Sequence, residues 1–170
     1  MDQETLSRLI NARKTAGLVE ARAQALSAMT TGPHRMEHVT TVNGVEYYND
    51  SKATFLDATL ESLAAIDKPV VWIAGALGPE IGSGHVQQFL RERVVALVLF
   101  TTGLDRPIDA LKPFTEHVYL AEELRTAVFV AHELSRSGEV VLFSPACPSG
   151  NGFANYEERG AEFKRAVRDL

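Results

Sequence analysis

Asn49-Asp50-Ser51-Lys52-Ala53-Thr54 gathers an amide, a carboxylate, an ammonium and two hydroxyls in one short stretch. A carboxylate can accept from sugar hydroxyls, a lysine can screen a carboxylate or phosphate, and hydroxyls donate and accept. The stretch therefore has the groups needed to hold an anionic substrate. It lies between a predicted strand, Val45 to Tyr48, and a predicted helix, Phe55 to Ile66. Such a junction leaves the first-turn N–H groups pointing outward, a seat for an anion. The alternative is an ordinary capped helix, with Ser51 or Thr54 as N-cap and Asp57 three residues beyond Thr54.

Two further stretches carry polar chemistry. His34-Arg35-Met36-Glu37 lies upstream, and Ser144-Pro145-Ala146-Cys147-Pro148-Ser149 lies near the end, followed by Phe153, Asn155-Tyr156-Glu157 and Arg159-Gly160. In this order the three resemble the C-terminal domain of the Mur ligases, the ATP-dependent amide-bond-forming enzymes of peptidoglycan synthesis. Within that family the pattern is most similar to the D-glutamate-adding branch. The resemblance covers roughly residues 32–170, and it rests on the order and spacing of all three motifs.

The resemblance implies roles residue by residue. Arg35 is expected to contact ATP, gripping a phosphate with paired hydrogen bonds; the residues alone also allow a surface arginine paired with Glu37. Asp50 is expected to bind the nucleotide through ribose hydroxyls, or else to cap the next turn. Lys52 is expected at the catalytic centre between domains, its alternative being a solvated loop lysine. Ser51, Thr54, Ser149 and Tyr156 are expected to hold D-glutamate, although Tyr156 equally suits a core position on the last helix. The family's Mg²⁺ and nucleotide-sugar substrate are expected to engage other domains, with no cofactor bound by this chain alone. Two positions depart from the pattern: Phe55 replaces an asparagine, and the loop Gly75-Ala76-Leu77-Gly78-Pro79-Glu80-Ile81-Gly82 carries Glu80 about where a substrate-binding lysine is expected. Like charges there repel a D-glutamate carboxylate.

The elements that must position these residues can be read from hydropathy. Val-Val-Trp-Ile-Ala at 70–74 and Val-Val-Ala-Leu-Val-Leu-Phe at 94–100 read as strands buried on both faces. They alternate with predicted helices at 84–91, 106–113, 122–135 and 155–167, and with strands at 117–120 and 140–143. The fold class is therefore α/β, a doubly wound, mostly parallel, Rossmann-like sheet. Asn43-Gly44 between alternating runs adds an N-terminal β-hairpin. Functional loops in such sheets lie at the carboxyl ends of the strands, which is where the motifs fall. Residues 1–31 read as two helices broken near Gly17, which the resemblance implies are the tail of a preceding ATPase domain. The resemblance implies that residues 32–170 are the amino-acid-binding domain.

Composition narrows the function classes. The 170 residues, 45% of them hydrophobic, suffice for one core. A formal charge of −5 and no basic run argue against nucleic acid. Cys147 is the single cysteine, so no internal disulfide is available and a cytoplasmic protein is expected. No basic-then-apolar leader opens the sequence and no apolar run reaches about 18 residues, so neither export nor a membrane span is expected. The five histidines have no metal-ligand spacing with Cys147. Cys147 is expected to be structural, and Glu157, Glu158 and Arg159 a solvated helix face. No phosphate-cradling G-x-x-x-x-G-K-[ST] loop occurs. Two readings stand: a ligase domain that binds the amino acid but is not catalytic alone, or a noncatalytic binding domain that keeps the fold.

Overall fold

The computed structural model describes residues 32–103, 111, 113–115 and 117–170. The helical segment expected over residues 1–31 lies outside them, as does most of the helix expected at 106–113. Within the described part, the chain runs β1 (Glu37–Val42), β2 (Val45–Asn49), α1 (Leu56–Ala64), β3 (Val70–Ala74), α2 (Gly84–Arg93), β4 (Val94–Phe100), β5 (Val118–Ala121), α3 (Leu124–Leu134), β6 (Val140–Phe143) and α4 (Tyr156–Arg168). A short 3-10 turn, Pro79–Gly82, precedes α2.

The strands form one six-stranded sheet in the order β1-β2-β6-β3-β4-β5. Only β1 and β2 are antiparallel; β2–β6, β6–β3, β3–β4 and β4–β5 are parallel. The hairpin follows from Asn43 and Gly44, which adopt φ of 52° and 81° and so supply the two positive angles that the tight turn requires. Every residue of β3 and β6 is buried, as expected for strands covered on both faces.

Strand alternation divides the core in two. Tyr47, Val71, Ile73, Val98 and Phe143 face α3 and α4, meeting Val128 and Phe163. Trp72, Leu97, Leu99 and Leu142 face the other way, against Leu56 and Leu63 of α1 and Leu90 of α2. The connection after β3 therefore turns to one face, and the connection after β6 turns to the other. Adjacent strands whose connections part in this way leave a crevice at their carboxyl ends. The doubly wound, mostly parallel sheet with an N-terminal hairpin is thus present as the hydropathy predicts.

Candidate functional site

The three motifs meet at the carboxyl edge of β2 and β6, and a buried polar network joins them. Asn49, the last residue of β2, sends its amide Nδ2 to Glu37 Oε2 and to His34 Nδ1, each at 3.0 Å. Glu37 also accepts from the His34 backbone N–H at 2.9 Å and from Lys164 Nζ of α4 at 2.9 Å. His34 then accepts the Lys52 N–H at its carbonyl, 3.0 Å away. His34 and Met36 hold φ of 63° and 44°, a left-handed conformation that non-glycine residues adopt only when their surroundings enforce it. Burial and Lys164 lower the His34 pKa below its ordinary 6.5, with Glu37 and Glu157 acting in the opposite direction. Gly160 allows this contact, since a Cβ there would run into His34 Nδ1 and lie 3.0 Å from Asn49 Oδ1.

Asp50 is completely buried. Its carboxylate accepts the Ser144 hydroxyl at 2.8 Å and the Met36 N–H at 3.1 Å, and the Arg35 guanidinium lies 4.0 Å away. Ser144 is itself held by Thr59 Oγ1 at 2.7 Å and, through its carbonyl, by the Trp72 indole N–H at 2.7 Å. Burial pushes the Asp50 carboxyl above its ordinary value, against the pull of Ser62, Ser144, Arg35 and the Met36 N–H. Arg35 remains partly exposed and pairs with Glu61 of α1 at 3.5 Å. Its partners are thus Asp50 and Glu61, and Glu37, the partner considered from sequence, is occupied by Lys164 instead.

Ser51 is buried as well. Its hydroxyl donates to the Tyr156 carbonyl at 2.8 Å and accepts from Arg159 Nε at 3.1 Å. Helix α1 begins at Leu56 with Phe55 as an extended N-cap that makes no side-chain capping bond. The ordinary cap by Ser51 or Thr54 is therefore absent: Ser51 reaches across to α4, and Phe55 is 60% exposed. Lys52 is exposed, with its ammonium 5.9 Å from the centre of the Tyr156 ring, a cation–π arrangement. Thr54, Ser149 and Tyr156 are all half-buried. Tyr156 opens α4 on the site side, 6.1 Å from the His34 ring, rather than standing in the core.

Arg159 corrects the sequence reading most. It was expected on a solvated face, yet it is 2% exposed and is among the largest fully buried side chains. Helical spacing puts it on the same stripe as Phe163 and Ala166, which was the signal available in the sequence. Its guanidinium donates to Ser51 O at 2.8 Å, Cys147 O at 3.2 Å and Pro148 O at 3.1 Å, in addition to the Ser51 hydroxyl. Burial lowers its pKa, partly offset by the Cys147 side chain. Thr59 and Trp72, to which the sequence reading gave no part in the site, belong to the same network as Asn49.

At the crevice between β3 and β6 lies a cleft of about 270 Å³, lined by Gly75, Thr101, Cys147, Pro148, Asn151 and Arg159 among others. Gly75 leaves room that a side chain would take up, because a Cβ there would meet the Cys147 sulfur and lie 3.2 Å from the Pro145 carbonyl oxygen. The Ala146 N–H donates to Ala53 O at 3.1 Å, so the loops after β2 and β6 are joined directly. Glu80, in the 3-10 turn, folds its carboxylate back over Gly78 and is exposed. Among the described residues no cluster of three or more potential ligands could hold a metal ion.

A doubly wound α/β domain with a polar network and a crevice at the carboxyl edge of its sheet has the arrangement in which open α/β sheets seat their ligands. Residues 34–147 match the family described as Mur ligase, glutamate ligase domain, and the chain belongs to that family. It is 44% identical over 148 residues to UDP-N-acetylmuramoylalanine–D-glutamate ligase of Geotalea uraniireducens, covering 86% of this chain and 32% of that protein. With the enzyme of that name from Bacillus subtilis it shares 39% identity over 158 residues, 92% of this chain and 35% of the relative. With that of Bdellovibrio bacteriovorus the figures are 34% over 166 residues, 98% and 36%. The chain thus spans about a third of the length of the curated relatives it matches.

Proposed function

We propose that this chain is the amino-acid-binding domain of an ATP-dependent ligase that joins D-glutamate to UDP-N-acetylmuramoyl-L-alanine, and that it holds the incoming amino acid rather than turning over alone. The observation that carries the reading is its 39% identity over 92% of the chain to a relative bearing that name, with the motifs held together by one buried network.

In this reading the Thr54 and Ser149 hydroxyls donate to the carboxylates of D-glutamate. Lys52 screens the negative charge of the reacting groups, and the Tyr156 ring limits where its ammonium can lie. Ser51 is occupied by Arg159 and the Tyr156 carbonyl, so it contributes by fixing the loop. ATP supplies the phosphoryl group that activates the accepting carboxyl. Arg35, partly exposed, fits a role at its phosphates. Asp50, with no accessible surface, fits the role of orienting Arg35 and the Met36 peptide. Mg²⁺ would come with the nucleotide, as expected of an ATP-dependent ligase. ATP, a nucleotide sugar and an unpaired Cys147 are all consistent with a cytoplasmic protein, and no described helix is long and apolar enough to cross a membrane.

Titration of the isotope-labelled chain with D-glutamate, with L-glutamate as control, tests the reading. Amide shifts at Lys52, Thr54, Ser149 and Tyr156 that are specific to the D-enantiomer are expected. Glu80→Lys should tighten this binding by removing an opposing charge. Absent or equal responses to the two enantiomers would count against D-glutamate as the incoming amino acid.

A further inference from the structure

Arg159 combines features that packing alone does not require. It is 2% exposed, yet among the described residues every hydrogen bond it makes goes to a neutral oxygen. A buried guanidinium whose hydrogen bonds go to neutral oxygens forgoes most of its hydration energy, and an apolar side chain of similar volume would fill the same space at lower cost. What an apolar group could not do is join four oxygens on two loops nearly a hundred residues apart in sequence. Two of those oxygens are the carbonyls of Ser51 and Pro148, at 2.8 and 3.1 Å. Each belongs to the peptide unit immediately before a residue assigned above to the substrate, Lys52 and Ser149. Because a trans peptide is planar, fixing the carbonyl also fixes the N–H that points the opposite way. Gripping Ser51 O orients the Lys52 N–H, which is taken by His34 O at 3.0 Å, and gripping Pro148 O orients that of Ser149.

We propose that Arg159 is a positioning residue: its guanidinium fork sets the loop after β2 against the loop after β6, and thereby fixes the spacing of Lys52 from Ser149. The roles given to Lys52 and Ser149 rest on the function proposed above, whereas the coupling of the loops does not. The fork explains why the position needs arginine. A lysine carries the same charge but has one nitrogen, and it cannot bond Ser51 on one side while reaching Cys147 and Pro148 on the other. Ala146, at φ 55°, stands in the loop being held, so the fork also restrains a stretch of backbone that is otherwise unfavourable.

The test uses Cys147, the single thiol of the 170-residue chain, whose carbonyl is one of the four acceptors. Its rate of reaction with an aromatic disulfide under native conditions reports loosening of the loop. Arg159→Lys, which keeps a cation beside the thiol, should raise that rate by about tenfold or more; Arg159→Met, which removes the cation, is read from its amide resonances alone, and thermal unfolding of both should stay cooperative. The amide resonances of Lys52 and Ser149 should shift together in both variants. Ser51→Ala, which removes one acceptor, should move the same resonances less, and it serves as the decisive variant should Arg159→Met fail to fold. If Arg159→Lys keeps the wild-type thiol rate and resonances, the residue acts as charge or filler and the proposal is overturned. Shifts at Ser51 variants confined to the first loop would overturn it too. Wild-type chain that ignores D-glutamate would sink the functional reading and leave these thiol and resonance outcomes standing.

Discussion

Asp50 shows how a buried carboxylate can oppose stability once it ionises. Its burial raises its pKa, so the folded state holds the Asp50 proton more tightly than the unfolded chain does. The resulting contribution to stability is fully present below the unfolded carboxyl value and is lost as pH rises through the higher folded one. Asp50→Asn keeps an acceptor and does not titrate. Its unfolding midpoint in urea should therefore gain on wild type as the pH is raised from about 4 to 7. A difference between the two proteins that is independent of pH would show that the carboxylate ionises without penalty. His34 has the opposite sign: its lowered pKa gives stability that is present above its ordinary 6.5 and is lost as pH falls through the folded value. The two residues touch through Met36 and Asn49, so the network is pressed from both ends of the pH range.

Among the elements, the loop after β3 has least room to change. Gly75 donates its N–H to Pro145 O at 2.8 Å while its Cα faces the Cys147 sulfur. Gly75→Ala should cost about 1–3 kcal/mol by overpacking, measured by urea denaturation, and should displace the loop after β6. A neutral effect would mean that Cys147 can swing away freely. The elements themselves were largely legible in the sequence, because β3 and β4 are unbroken apolar runs and Asn43-Gly44 admits few conformations other than a tight turn. The network between them was less so. Glu37 and Lys164 are paired across 127 positions, and no local period records such a bond. Arg159 lay on the apolar stripe of α4, but a charge on such a stripe is usually read as a snorkelling or solvated side chain. The ordinary cap weighed as the alternative for α1 is absent, since Phe55 holds the N-cap position and Ser51 bonds α4.

At the scale of the whole molecule, α4 both closes one face of the sheet and reaches the site. Phe163 stacks on Phe143 of β6 at 4.9 Å, two turns of helix from the Tyr156 ring that lies under Lys52. Phe163→Ala should cost about 3–5 kcal/mol, read from urea midpoints. It should also weaken any D-glutamate response at Ser149, since α4 carries Arg159. A stability loss that leaves that response unchanged would separate the two duties of the helix. The strand order adds a consequence in time. The ribosome makes β2 and β3 long before Val140–Phe143, yet β6 lies between them. A nascent chain that stops short of β6 therefore cannot close its sheet, and it presents two inner strand edges with nothing to pair with. Such edges are where chaperones bind and aggregation begins.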